Sequence, residues 1–315
     1  MTPMAAKKIL VAVDNSEQAA QAVRYVSGLM SPQDTEVVLF HVLGGPSEDL
    51  AELKGAARYL TDINDNLAAW QQREREAAED FTADRRRILL EAGFLPEAVS
   101  VQVREKQVGL ARDLMEESKK GYSAVVVGRV GTSKLKDLVL GSISTKLVTK
   151  LSHVPVWVVG GSPLPGRMLL ALDGSEWSLR CAEHAARILG HTEARVTLFH
   201  VIRSLSREGE GQGVPLAPEA EARLAQAAKA RMEDVFGRVR ACLVRAGVAE
   251  DRISQGFALN AASRAEAIVR EARQGGYGTV VVGRRGISQV EEFFMGRVSN
   301  KVVSLAREMA VWVVN

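Results

Sequence analysis

Unbroken apolar runs alternate along this chain with stretches in which apolar residues recur every three to four positions. The first run, KILVAV at residues 8–13, has no polar interruption, as expected of a strand covered on both faces. From about Ser16 the spacing changes, with Ala19, Ala20, Val23, Val26 and Met30 on one helical face. A second strand, EVVLFHV, follows at 36–42. A long Ala-, Glu- and Arg-rich helical stretch then runs from roughly Ser47 to Ala92 and is closed by Gly93. The third strand is AVSVQV at 98–103, succeeded by a helix over Gly109 to Lys119 and the strand SAVVVG at 123–128. A helix over Ser142 to Leu151 and the strand PVWVV at 155–159 complete the series. Strands alternating with helices predict an α/β fold built on a parallel sheet with right-handed crossovers.

The same series then begins again. KKILVAVDNSE matches GRMLLALDGSE, with Asp14 on Asp173, and EVVLFHVL matches RVTLFHVI in the same register, with His41 on His200. GYSAVVVGRVG matches GYGTVVVGRRG, with Gly128 on Gly283, and Trp157 falls on Trp312. The chain is thus a tandem duplication, read as domains 1–161 and 162–315. The Gly-, Pro- and Ser-rich stretch GGSPLPG at 160–166 serves as the connection.

The chemistry concentrates behind the valine run of the fourth strand. Gly128 and Gly131 follow it closely, and Gly141 with Ser142 opens the next helix. In an open parallel sheet, ligands settle at the carboxyl ends of the strands. A glycine there removes a Cβ that would hold a ligand away from the backbone. The first amides of a helix lack intrahelical acceptors and lie at the positive end of its dipole, so amides plus a hydroxyl form a phosphate cradle. The spacing matches neither a P-loop nor a dinucleotide fingerprint.

These residues resemble the universal stress protein family, whose pattern G-x2-G-x9-G-[ST] is met by Gly128, Gly131, Gly141 and Ser142. The early strand ending in Asp14 and the second strand ending in FHV at Val42 fit as well, and the likeness covers essentially the whole chain. The resemblance implies two Rossmann-like domains, each an open five-stranded parallel sheet of order 3-2-1-4-5 flanked by helices. It implies ATP, with or without Mg, across strands one and four. Asp14, Val42 and Val127 would meet the adenosine, and Gly128, Gly131, Gly141, Ser142 and Ile143 the phosphates. It further implies pairing between final strands, here VPVWVV with MAVWVV inside one chain as an internal pseudo-dimer, and allows a homodimer of whole chains.

The second copy keeps Asp173, Val201, Gly283, Gly286 and Gly296, but Arg297 replaces the hydroxyl residue. Its loop carries Glu291 and Glu292 where the first copy has Lys136 and Asp137. The paired carboxylates disfavour a polyphosphate, while the guanidinium either clamps phosphate or takes its place. The nucleotide is therefore expected mainly in the first copy.

Composition narrows the remaining classes. A formal net charge of +3 from 41 basic and 38 acidic residues gives no basic surface of the kind nucleic acid requires. No apolar run has the length of a membrane span or a secretory signal, so a cytoplasmic protein is expected. The two cysteines, Cys181 and Cys242, fall in separate helical segments and form no metal-ligand spacing. Asp14 and Asp173 serve equally well as helix-capping residues. His41 and His200 read as structural groups at strand ends, Asp84 to Arg87 as a solvated helix face, and Arg207 to Glu219 as a loop. Three functions remain in play: an ATP-binding stress or regulatory module, a partner-binding protein without nucleotide, and a slow ATP hydrolase. Against the last, the cradle holds no evident general base and no catalytic residue is assigned.

Overall fold

The computed structural model describes residues 7–44, 60–130, 140–190, 192–203, 217–286 and 295–315. In the first half, β1 (Lys7–Ala12), β2 (Thr35–Leu43), β3 (Val99–Glu105), β4 (Ala124–Gly128) and β5 (Val156–Val159) alternate with four described helices. These are α1 (Glu17–Leu29), α2 (Leu60–Glu91), α3 (Leu110–Glu117) and α4 (Ser142–Lys150). The second half repeats this with β6 (Arg167–Ala171), β7 (Arg195–Arg203), β8 (Ile253–Ala261), β9 (Thr279–Gly283) and β10 (Ala310–Val314). Its helices are α5 (Glu176–Leu189), α6 (Pro218–Arg245), α7 (Arg264–Gln274) and α8 (Arg297–Leu305). The start of the long helix expected from Ser47 lies partly outside the described residues, as does most of the segment from Arg207 to Glu219. The end of that segment already belongs to α6.

The ten strands form one sheet in the order β3-β2-β1-β4-β5-β10-β9-β6-β7-β8, so each half has the order 3-2-1-4-5. Pairing within each half is parallel, and the halves meet through the antiparallel pair β5–β10. α1, α2, α5 and α6 pack on one face of the sheet and α3, α4, α7 and α8 on the other, giving one apolar layer per face. The central strands consequently read as unbroken apolar runs, because each face of the sheet is covered.

The junction between the halves is a polar and aromatic core. Trp157 and Trp312 are direct cross-strand partners whose rings stack 4.1 Å apart with planes only 4° from parallel. The Trp312 indole N–H donates to the Tyr25 hydroxyl at 3.0 Å, and that hydroxyl meets Thr279 Oγ1 at 2.6 Å. In the mirror-image position, the Trp157 N–H donates to His184 Nε2 at 3.1 Å. Each tryptophan therefore anchors to a helix of the opposite half.

A second reciprocal device lies beside it. Arg129, immediately after β4, donates from Nη1 to Val303 O and from Nη2 to Ala306 O, both at 2.7 Å. Arg284, its counterpart after β9, donates from Nη1 to Val148 O at 3.0 Å and Leu151 O at 2.5 Å, and from Nη2 to Thr149 O. Each buried guanidinium thus satisfies the last carbonyls of the other half's helix, α8 or α4. Gly160 makes room for this, since a Cβ there would stand 2.7 Å from Arg129 Nε and collide with the Arg307 carbonyl.

Candidate functional site

At the carboxyl ends of β1 and β4 the structure opens a cavity of about 400 Å³. One wall is apolar, formed by Ala12, Val13, Ala19, Phe40 and Val42 with Leu110 and Leu114 from α3. The lining also includes Asp14, Ser16, Gly128, Gly141, Ser142 and Ser144, which bring carboxylate, hydroxyl and bare backbone groups. Of the eight residues expected at the first site, Asp14, Val42, Val127, Gly128, Gly141, Ser142 and Ile143 all line this cavity. Gly131 lies outside the described residues.

The Asp14 carboxylate is fixed by its neighbours. Its Oδ1 accepts from the Ser16 amide at 2.9 Å and the Ser16 hydroxyl at 2.5 Å, while Ser16 Oγ accepts from the Ala19 amide at 3.1 Å. Ser16 is therefore the N-cap of α1, and Asp14 orients the capping hydroxyl. Arg85 reaches the same turn, its Nη2 donating to Ser16 O at 3.2 Å, and Arg86 donates to Pro96 O at 3.0 Å. Of the tetrad Asp84 to Arg87, only Asp84 and Arg87 are exposed and paired with each other, contrary to a wholly solvated face. His41 Nδ1 donates to Val13 O at 2.8 Å and its ring meets Phe81 edge-on, tying β2 to the turn that carries Asp14.

The helix that opens toward the cavity is α4. Gly141 is its N-cap, with extended backbone and no side-chain cap, so the first-turn amides of Ser142, Ile143 and Ser144 lack helical acceptors. The Gly141 amide donates to Arg129 O at 2.8 Å, and Ser144 Oγ donates to Gly128 O at 2.7 Å. Those two bonds lock the helix start against the strand end. Ser299 repeats the latter bond to Gly283 O at 2.6 Å. Sequence reasoning passed over Ser144 and Ser299, although their recurrence in register with the glycines was a usable signal. Gly128 has a packing reason beside the ligand-facing one expected. A Cβ there would stand 2.9 Å from the backbone carbon of Gln18, so the glycine lets α1 approach β4.

The second copy brings its residues together differently. Asp173 Oδ1 accepts from the Ser175 amide at 3.0 Å, the Ser175 hydroxyl at 2.6 Å and the Ser178 hydroxyl at 3.0 Å. Ser178 stands where the first copy has Ala19, and its Oγ also accepts from the amides of Asp173 and Gly174. Gly286 presses on the same carboxylate, since a Cβ on it would lie 2.5 Å from Asp173 Oδ2. Trp177 replaces Gln18, packs against Gly283, and lies under the guanidinium groups of Arg180 and Arg285 at 4.5 and 5.4 Å. Val201 is buried, Gly296 is the N-cap of α8, and Arg297 opens that helix with its side chain exposed. Half-burial and the nearby Arg264 charge hold the His200 imidazole below its ordinary range, against its bond to Leu172 O at 2.7 Å.

Among the described residues, no group of His, Cys, Asp and Glu is arranged to hold a metal ion, and no helix is long and apolar enough to cross a membrane. The arrangement in the first half can bury a flat apolar group against β1, β2 and α3 while presenting amides and a hydroxyl to an anion. The profile of the universal stress protein family matches residues 5–160 and again 166–315. A universal stress protein of Mycolicibacterium smegmatis is 30% identical over 184 residues, covering 56% of this chain and 58% of that protein. The chain thus spans little more than half of that relative's length. A universal stress protein of Methanocaldococcus jannaschii is 26% identical over 159 residues, 49% of this chain and 94% of its own. In fold, the chain resembles the crystal structure of a universal stress protein from Archaeoglobus fulgidus, with a TM-score of 0.63, 21% identity and 98% coverage of both chains.

Proposed function

Because the chain belongs to the universal stress protein family, we propose that its first half binds ATP or a closely related adenine nucleotide and acts as a nucleotide-responsive stress or regulatory module. The observation that carries this reading is a cavity of about 400 Å³ whose lining combines apolar side chains with a helix N-terminus. That volume lies within the range of small-ligand sites. In this reading Val42 and Val127 pack against the adenosine portion and Asp14 accepts from it. Gly128, Gly141, Ser142 and Ile143 border the phosphates with backbone amides and one hydroxyl, and Gly131, outside the described residues, is assigned to them by the motif alone. Any accompanying Mg is held by the phosphates, because no described carboxylate cluster is built for it.

The second half contributes little nucleotide binding in this reading. Its carboxylate is already engaged by Ser175 and Ser178 and pressed by Gly286, and an arginine stands at the position of the cradle hydroxyl. Calorimetric titration with Mg-ATP should give one site per chain. Ser142→Ala should weaken it by about tenfold, the worth of one hydrogen bond to a charged group. No heat at millimolar nucleotide would end the proposal, and two equivalent sites would end the assignment to the first half alone.

A further inference from the structure

The groove between α1 and the start of β9 is filled by the chain's own connecting segment. A Cβ on Gly28 would stand 3.3 Å from Pro165 Cγ, and one on Gly278 would collide with the backbone of Leu164. Two glycines therefore sit where a peptide lies. Tyr25, at the floor of this groove, has its hydroxyl bonded to both Thr279 and Trp312.

The duplication builds the same groove a second time, between α5 and the start of β4, and the connecting segment passes only once. There the structure leaves a cavity of about 340 Å³. Each filled position has a polar replacement: Arg187 for Gly28, Ser123 for Gly278 and His184 for Tyr25, and all three line the cavity. His184 is only 2% exposed. Its Nε2 accepts the Trp157 indole proton, so the neutral ring carries its own proton on Nδ1, and that nitrogen is buried without a hydrogen-bond partner. A buried donor left unsatisfied marks a place where an acceptor belongs.

The charged groups around the mouth set the sign of that acceptor. Arg187 has no ion pair among the described residues, and Arg180 shares its charge with exposed Glu176 at 3.2 Å. His153 lies opposite, its Nε2 3.0 Å from Ser118 Oγ. Glu183 is the one acidic side chain lining the cavity, which Asn315 also borders. We propose that this interdomain cavity is a second ligand site, distinct from the nucleotide cavity, which takes a small oxyanion on the His184 Nδ1–H and the Arg187 guanidinium. Phosphate and carboxylate share the chemistry required, namely a charged oxygen small enough to reach His184 past Arg187.

Histidine-labelled full-length protein, titrated with inorganic phosphate and separately with acetate while the imidazole nitrogens are followed by NMR, tests this. The expected result is a saturable shift of the His184 Nδ1 resonance with one of the two, and the stronger anion identifies the source. Arg187→Ala, at an exposed position, should weaken that anion by about tenfold while leaving Mg-ATP affinity unchanged. An unmoved His184 resonance at tens of millimolar of both anions would overturn the site. So would anion binding that Arg187→Ala leaves intact, since the anion would then sit elsewhere. Neither result bears on whether the first half takes nucleotide.

Discussion

Replacing Arg129 by Met should loosen the junction between the halves, because it removes a cap that one half supplies to the other. The guanidinium makes two bonds of 2.7 Å to carbonyls in the last turn of α8, and both are buried. Charge-assisted bonds of this kind contribute about 1.5–3 kcal/mol each, and the attraction to a helix C-terminus adds up to about 2 kcal/mol. Against that stands the desolvation of a buried guanidinium. The same burial, reinforced by the like charge of Arg307, pulls its pKa down to about 10. Methionine recovers that desolvation cost but leaves the two carbonyls without donors, so the net loss should be about 2–4 kcal/mol. With an unfolding entropy of about 0.7 kcal/mol/K for a chain of this length, the melting temperature should fall by about 3–6 °C. Differential scanning calorimetry reads this directly. Arg129→Lys, whose ammonium cannot fork across two successive carbonyls, should lose roughly half as much. A melting point within about 1 °C of wild type for Arg129→Met would refute the capping argument.

Burial, with a further push from the Arg187 charge, holds the His184 pKa down to about 3 from an ordinary value of 6.5. The unfolded chain therefore binds a proton between pH 6.5 and 3 that the folded chain refuses, so stability should rise with pH through that window and then level off. The contribution is up to about 5 kcal/mol, and denaturant titrations of His184→Gln should show a shallower acid slope than wild type. A slope identical to wild type would show that this imidazole is not the group refused. Tyr25→Phe leaves the buried Trp312 N–H without an acceptor and should cost about 1–3 kcal/mol by urea titration; no change would mean that water replaces the hydroxyl. Gly128→Ala forces a Cβ to within 2.9 Å of the α1 backbone and should lower the melting point even without nucleotide. An alanine variant with unchanged stability but lost nucleotide affinity would restore a purely ligand-facing role for that glycine.

The fold was legible because its strands are buried on both faces and its helices carry a narrow apolar stripe, so the period alone separated them. The duplication then supplied each element twice, and the pairing of the final strands followed from the resemblance, while its antiparallel sense came only with the structure. The glycine-and-serine cradle was legible in the same way, as a spacing. What the spacing could not convey was the partner of each group across the chain. Arg129 drew no assignment from the sequence, because the carbonyls it satisfies lie 174 and 177 positions away. Ser178 looked like any helix serine, yet it engages the carboxylate of the second copy. Gly128 was read as facing a ligand, and the spacing could not convey that the Gln18 backbone, 2.9 Å from where a Cβ would stand, also requires a glycine there.

The two halves are near copies joined about a local two-fold, so symmetric features and asymmetric ones have different causes. The stacked tryptophans and the exchanged arginine caps recur on both sides because each half must complete the other's helix ends and bury the same strand. One of the departures traces to an element present once. One connecting segment exists, so one groove is filled with peptide against glycines and its twin is lined with arginine and histidine. One copy has Ala19 where the other has Ser178, whose hydroxyl engages Asp173. Gly128 lines the first cavity, and the next residue, Arg129, grips the far half's α8, so the turn that borders the proposed nucleotide is also the turn that clamps the two halves together. A ligand that shifts this turn must act on both halves at once, because no hinge residue separates the two contacts along the chain.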